Sequence, residues 1–289
     1  MKKKFLASFV IAAFLLLANV DAWAQQSTSG AGEKSNVVKV NLSQAEIDKI
    51  IAAFSAKEGQ YRQAQKIYGF RREATVQTIG FGGQVSGEFR RDSQFTFGND
   101  GQRYEKVTFA PLSTIGDVVT QEDLQDLGGV NQYALEPDKI NQYNFTFVGK
   151  EKIDELNLYV FDVAPKVIPD AKKTKERFFQ GRIWVDDQDL QIVKTKGKGV
   201  PETAINKFPV VETWRENVDG KYWFPTYAYA NDQLFFEKSG STLHIKIKIK
   251  FSDYKEGTST VRILDDDSTV VPDKPQPPPE TKPEAKKPQ

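Results

Sequence analysis

From Thr242 to Phe251 the chain alternates without a break. Leu243, Ile245, Ile247, Ile249 and Phe251 point one way; Thr242, His244, Lys246, Lys248 and Lys250 point the other. A period of two predicts a strand with one dry and one wet face, because successive side chains leave opposite sides of the pleat. The lysines read as a solvated face that also discourages edge-to-edge pairing. His244 sits among them without a visible partner, and no catalytic role is assigned to it. Aromatic residues repeat the theme elsewhere: Tyr143, Phe145 and Phe147 share a face, as do Tyr159, Phe161 and Val163, Phe179, Gly181, Ile183 and Val185, and Trp223, Tyr227 and Tyr229.

Turn signals divide the chain between these runs. Strands are expected over residues 66–79, 84–97, 103–109, 143–148, 156–163, 177–185, 190–195, 210–216, 222–229 and 241–254, with a further candidate at 258–264. Gly80-Phe81-Gly82-Gly83 and Asp219-Gly220 read as hairpin corners, as does the turn from Phe97 to Gly101. One stretch is helical by pattern. Ser43-Gln44-Ala45-Glu46 fits a capping box, and Ile47, Ile50, Ile51 and Phe54 then share one face, with Gly59 expected to end or loosen the helix. A second, short helical piece is expected from Thr120 to Gly128. The sum is a mainly β (α+β) chain: a long antiparallel sheet with one broad apolar face and one good helix to cover it. Two outcomes stay open at this level, a sheet packed fully on itself and its helix, or a curled sheet with an apolar cavity.

The ends of the chain are of another kind. Lys2, Lys3 and Lys4, an apolar run from Phe5 to Val20, and Ala22-Trp23-Ala24 make residues 1–24 a signal peptide cleaved after Ala24, too short in its apolar run for a membrane anchor. Residues 25–38 read as a flexible lead, 39–270 as the folded domain. Seven of the fourteen prolines fall in residues 271–289, so this segment is expected to be a disordered tail with nothing to bury. Loss of residues 1–24 removes three lysines and Asp21 and changes 40 basic against 39 acidic residues to 37 against 38. A chain so near neutrality gives no electrostatic case for nucleic acid.

Candidate chemistry is sparse. There is no cysteine, the single methionine is the initiator, and His244 is the single histidine, so thiolate chemistry and any metal site with two imidazoles are excluded. The glycines at 80–83 lack the following helix of a dinucleotide loop. Asp186-Asp187-Gln188-Asp189 and Asp265-Asp266-Asp267 lack the calcium-loop pattern and read as turn chemistry. Arg71-Arg72 and Arg90-Arg91 lie on neighbouring strand candidates and suit an anionic head group; solvated or ion-paired strand positions are the preferred reading. The sequons at Asn41 and Asn144 are uninformative behind a bacterial-type signal peptide. No catalytic residue, cofactor or metal ligand is assigned.

Three stretches, in order, resemble a known family. Tyr143-Asn144-Phe145-Thr146-Phe147-Val148-Gly149-Lys150-Glu151-Lys152-Ile153-Asp154 runs into Leu158–Lys166; Phe179-Gln180-Gly181-Arg182-Ile183-Trp184-Val185-Asp186 precedes Leu190–Lys194; Asp219-Gly220-Lys221-Tyr222-Trp223-Phe224-Pro225-Thr226 follows. Together they are similar to the periplasmic lipoprotein-sorting carrier superfamily, with its LolA-like, LolB-like and RseB-like members, over about residues 66–255. The resemblance implies a curved, incomplete β-barrel (a half-barrel) whose concave face is covered by helices, with an apolar cavity for acyl chains. It implies a role in lipoprotein sorting and outer membrane biogenesis.

The expectation is a non-catalytic periplasmic carrier or binding protein for acylated lipoproteins or other lipids. Its candidate lipid-facing residues are Tyr143, Phe145, Phe147, Tyr159, Phe161, Phe179, Ile183, Leu243, Ile245, Ile247 and Ile249. Transient contact with membrane proteins belongs to that reading. The alternative is an envelope sensor or scaffold that binds a protein partner through a sheet edge or the proline-rich tail. A hydrolase using acidic residues stands last, because no constellation supports it.

Overall fold

A computed structural model describes residues 36–98, 102–116, 135–173 and 176–257. The helix α1 (Gln44–Ala64) comes first. Ten strands follow: β1 (Tyr68–Ile79), β2 (Val85–Phe97), β3 (Arg103–Phe109), β4 (Tyr143–Ile153), β5 (Leu156–Pro165), β6 (Phe178–Asp186), β7 (Ile192–Val200), β8 (Val211–Val218), β9 (Tyr222–Phe236) and β10 (Ser241–Glu256). They form one antiparallel sheet in the order β3-β2-β1-β10-β9-β8-β7-β6-β5-β4. β3 and β4 are its two edges, so the sheet is open. The second helical piece expected from Thr120, the Asp265–Asp267 cluster, the strand candidate at 258–264, the signal peptide and the tail lie outside the described residues.

α1 starts as its capping box dictates. Ser43 Oγ accepts from Glu46 N at 3.3 Å, and Glu46 Oε2 accepts from Ser43 N at 2.8 Å. Gly59 does not end the helix, which continues for more than another turn. The ring of Pro137 lies beside it, at ordinary contact distance for a Cβ at this position. The hairpins follow their turn residues: Asp219 and Gly220 both take positive φ, at 55° and 67°, as a tight primed turn needs. The Asp186 turn is held by its own carboxylate, whose Oδ2 accepts from Asp189 N at 2.7 Å. Val38, the last residue of the predicted lead, exchanges two backbone hydrogen bonds with Lys150 beside the β4 edge.

Direct cross-strand pairs define the two faces. On one, Phe147, Phe161, Ile183, Thr195, Thr213, Ala228, Ile249, Ala74 and Arg91 follow one another across nine strands. On the other run Val160, Trp184, Lys194, Trp214, Tyr227, Lys250, Glu73 and Asp92. α1 lies on the first, inner face: the Phe54 ring centroid is 6.1 Å from Phe161 and 5.7 Å from Phe145. Seven residues later Tyr61 meets Phe224 of β9 at 5.4 Å. That interval is about 10 Å of helix axis, whereas β5 and β9 are about 19 Å apart in a flat sheet. Curling of the sheet toward α1, with the reach of the aromatic side chains, closes the difference.

The sheet has identifiable places to bend. Gly181 and Gly197 face each other in the β6–β7 pair. A Cβ on Gly181 would strike the backbone of Lys196 and Gly197, and one on Gly197 the ring of Phe179. Only glycine allows two strands this close approach. Register shifts interrupt the ladders at Phe147/Gly149, Trp184/Val185 and Trp214/Arg215, and each such bulge adds local twist.

The outer face is not purely wet. Leu158, Val160, Trp184 and Val193 form a small buried cluster there, joined by Val37 and Trp223. Lys194 Nζ lies between the rings of Trp184 and Trp214, at 4.8 and 4.1 Å, and pairs with Glu212 at 3.1 Å. Farther along, Lys246, Lys248 and Lys250 are exposed, as the alternation predicts. His244 does have a partner: its Nε2 is 2.7 Å from Asn231 Oδ1.

Candidate functional site

The inner face divides into regions with different cover. Under the first half of α1, Ile50 and Phe54 pack on Tyr143, Phe161, Val163, Phe179, Ile183, Val185 and Ile192. Seven of the predicted lipid-facing residues lie here. Tyr143, Phe161, Phe179 and Ile183 are buried against the helix, and Phe145, Phe147 and Tyr159 are half-buried at the margin. The Tyr143 hydroxyl accepts a hydrogen bond from Phe179 N at 3.2 Å. Under the second half of α1, Tyr61 and Ala64 pack on Tyr68 and Phe224.

The β10 candidates are elsewhere. Ile245 is buried with Val76, Leu234 and Ile115, with Leu243 beside them. Ile249 is buried with Phe70, Ala74, Phe95, Ala228 and Phe251, and Ile247 borders both groups. The Ile249 cluster contains strand residues alone among the described residues, and no α1 side chain enters it. Its centre is built from small residues, Ala74 and Ala228, flanked by large ones. The structure thus brings the eleven predicted residues onto one face, in two separate groups.

Between the regions α1 is bolted down by a charge pair. Glu58 Oε1 accepts from Arg215 Nη1 at 2.6 Å and Oε2 from Nη2 at 3.2 Å, with both side chains buried. The Arg215 guanidinium also lies 4.8 Å from the centre of the Tyr61 ring. Burial raises the Tyr61 phenol well above its ordinary value, so it stays neutral.

The pleat splits each arginine dipeptide between faces. Arg71 and Arg90 turn outward and pair with Glu73 and Asp92, at 2.9 and 3.0 Å. Arg72 and Arg91 turn inward, opposite Ser93 and Ala74. The expectation of solvated or ion-paired arginines holds for all four, because Arg72 and Arg91 both pair with Glu105, at 3.2 and 2.9 Å, although Arg72 is 1% exposed. Burial lowers the Arg72 pKa to about 10, against the pull of Glu105, which leaves it charged at neutral pH. Burial pushes Glu105 upward, but hydrogen bonds from Ser93 and Arg91 and the charge of Arg72 outweigh it and hold it below its ordinary value. Arg103 and Glu105 were not singled out from the sequence. The signal that finds them is the β2–β3 register, which sets Glu105 opposite Phe95 and Arg103 opposite Phe97.

No family model matches the chain, and no curated protein matches it in sequence. Solved structures do. A DUF1329 family protein from Desulfovibrio piger is 16% identical over 71% of this chain and 92% of its own, with a TM-score of 0.35. A LolA superfamily protein from Nitrosomonas europaea is 15% identical over 73% of this chain and 96% of its own, at 0.32. A provisionally assigned outer membrane lipoprotein-sorting protein domain from Vibrio parahaemolyticus is 12% identical over 72% and 94%, at 0.33.

The superfamily indicated by the order of the hairpin motifs is thus also among the structural likenesses. With these scores the functional reading rests on the chain's own residues. Among the described residues there is no cluster of three or more potential metal ligands, and no helix is long and apolar enough to cross a membrane.

Proposed function

We infer that this chain is a non-catalytic periplasmic binding protein that holds acyl chains, of lipoproteins or of other lipids, against the inner face of its open sheet. The observation that carries this reading is the strand-only apolar cluster of Phe70, Ala74, Phe95, Ala228, Ile249 and Phe251 beside α1. Its residues are buried, with the small Ala74 and Ala228 between larger apolar ones, so an acyl chain would enter by parting this packing rather than by filling an open groove. Burying each methylene of such a chain is worth about 0.8 kcal/mol, so a modest contact gives useful affinity without any polar recognition.

The test is direct. The mature protein, purified without detergent, is extracted for lipid mass spectrometry and titrated with a fluorescent fatty acyl probe. Co-purified lipid and saturable probe binding are expected, and Ile247→Asp, at a half-buried position between the two β10 clusters, should weaken the probe while the fold survives. Absence of both lipid and saturable binding ends the reading.

A second reading is favoured by a different observation. β3 is an edge strand with mostly exposed side chains and no ladder partner on its far side among the described strands. Such an edge accepts an added strand from a protein partner. Deleting residues 271–289 separates the two forms of this reading: a partner that is still captured uses the edge, and one that is lost uses the tail.

A further inference from the structure

The exposed apolar residues are not scattered. Strands alternate in direction, so successive connections lie at opposite ends of the sheet. At one end stand the β1–β2 corner with Phe81, the segment after β3 with Leu112, the β7–β8 loop with Ile205, the β5–β6 loop with Val167 and Ile168, and Phe235 beside the β9–β10 corner. Phe81 is fully exposed, and Leu112, Ile205 and Val167 are 93%, 81% and 75% exposed. Among the described residues, every large apolar side chain more than half exposed is at this end, Val38 on the β4 edge excepted. Because β3, β2, β1, β10, β9, β8, β7, β6 and β5 are neighbours in that order, these tips follow one another along a single rim.

The described hairpins at the other end carry Asp154-Glu155, Asp187-Gln188-Asp189 and Asp219-Gly220-Lys221, with no exposed large apolar residue among them. Those are residues that turn geometry favours. Single exposed apolar residues are ordinary on a surface, but a row of them marks a contact. Each tip here projects from a different connection, which suits a broad apolar layer better than a peptide seated in one groove. Charge at the two ends differs as well. Lys166, Lys172, Lys173, Lys207 and Lys238 stand among the apolar tips, and none of them is ion-paired among the described residues. The acids beside them, Asp170, Glu176 and Glu237, are fewer, and Glu202 is taken by Lys198 at 3.1 Å.

We propose that this rim is a membrane-docking edge: its apolar tips enter the head-group layer of an anionic bilayer, its lysines meet the lipid phosphates, and the acidic hairpins point away from the surface. The apolar and the basic residues act on the same partner, since a bilayer of anionic lipid offers a greasy layer beneath a negative one. The proposal goes beyond the acyl-binding reading and does not depend on it.

Co-sedimentation of the mature chain with vesicles of equimolar phosphatidylglycerol and phosphatidylethanolamine, and with vesicles of phosphatidylcholine, tests it. Binding to the anionic vesicles should be roughly tenfold stronger than to phosphatidylcholine, and should weaken as salt is raised. Phe81→Ser combined with Ile205→Ser should weaken it on the order of tenfold without changing thermal unfolding, because both side chains are exposed. Lys238→Gln should weaken it about fivefold on the anionic vesicles alone. Val38→Ser, at an exposed apolar position away from the rim, should leave it unchanged. No binding to anionic vesicles, or a loss with Val38→Ser equal to that of the rim variant, overturns the proposal. Equal binding to both kinds of vesicle overturns the part given to the lysines. A dimer that the double rim variant dissolves, with no vesicle bound, assigns the rim to a second copy of the chain and overturns the membrane. The acyl probe is titrated without vesicles, so either reading can fail while the other stands.

Discussion

Glu58 offers the sharpest test of how α1 is held on the sheet. Its carboxylate makes two bonds to Arg215, at 2.6 and 3.2 Å, with the two side chains 3% and 4% exposed. Glu58→Gln keeps the shape but leaves a guanidinium buried with no counter-charge. Removing one partner of such a buried pair costs about 3–5 kcal/mol. The whole fold of a domain is worth about 5–15 kcal/mol, so this single change removes a large share of it. With a urea slope of roughly 2–3 kcal/mol per molar, the midpoint should fall by about 1–2 M. Replacing both partners by apolar residues, Glu58→Leu with Arg215→Met, removes the desolvation cost along with the attraction and should recover most of the loss. Urea unfolding followed by tryptophan fluorescence compares the three proteins. A single variant within 1 kcal/mol of wild type, or a double variant as unstable as the single, refutes the view that an uncompensated charge is the source of the effect.

Other outcomes follow from the same structure. Gly181→Ala, whose new methyl meets the backbone of β7, should cost about 1–3 kcal/mol in thermal unfolding; a variant as stable as wild type counts against this close approach. Acid sensitivity should centre on Glu105 and Glu212. In each case burial works upward, but bonds from Ser93 and Arg91, or from Lys194 and Lys196, outweigh it and depress the folded value. The stability they confer is therefore complete above the ordinary glutamate value of 4.5 and is lost as the pH falls through the lower folded value. Stability measured against pH should decline less steeply below that point in Glu105→Gln and Glu212→Gln than in wild type; an unchanged slope counts against the assignment.

Period-two patterning located all ten described strands, with starts within two residues and ends as much as seven residues short, because burial on one side of a pleat is written locally. The starts of β1 and β7 came out two residues early, at Lys66 and Leu190, since Leu190 lies in a turn with φ at 51°. The end of β9 came out at Tyr229 although the strand continues to Phe236, held by its pairing with β10. The capping box placed the start of α1 for the same local reason. Gly59 was misleading because a glycine costs a helix only about 1 kcal/mol, and the packing of Tyr61 and Ala64 on Tyr68 and Phe224 carries α1 past it.

The sequence by itself determined which residues share a face, where most turns fall, where the helix begins, and that cysteine chemistry is absent. Those are properties of neighbours along the chain. Tertiary structure decided that β1 pairs with β10, which places Ala74 beside Ile249, and that α1 packs on some parts of the face but not on the Ile249 cluster, which among the described residues contains strand residues. It also decided that Arg91 and Arg72 meet Glu105 beside Phe95. Pairing between distant strands depends on the summed packing of the whole sheet, so no short stretch of sequence contains it.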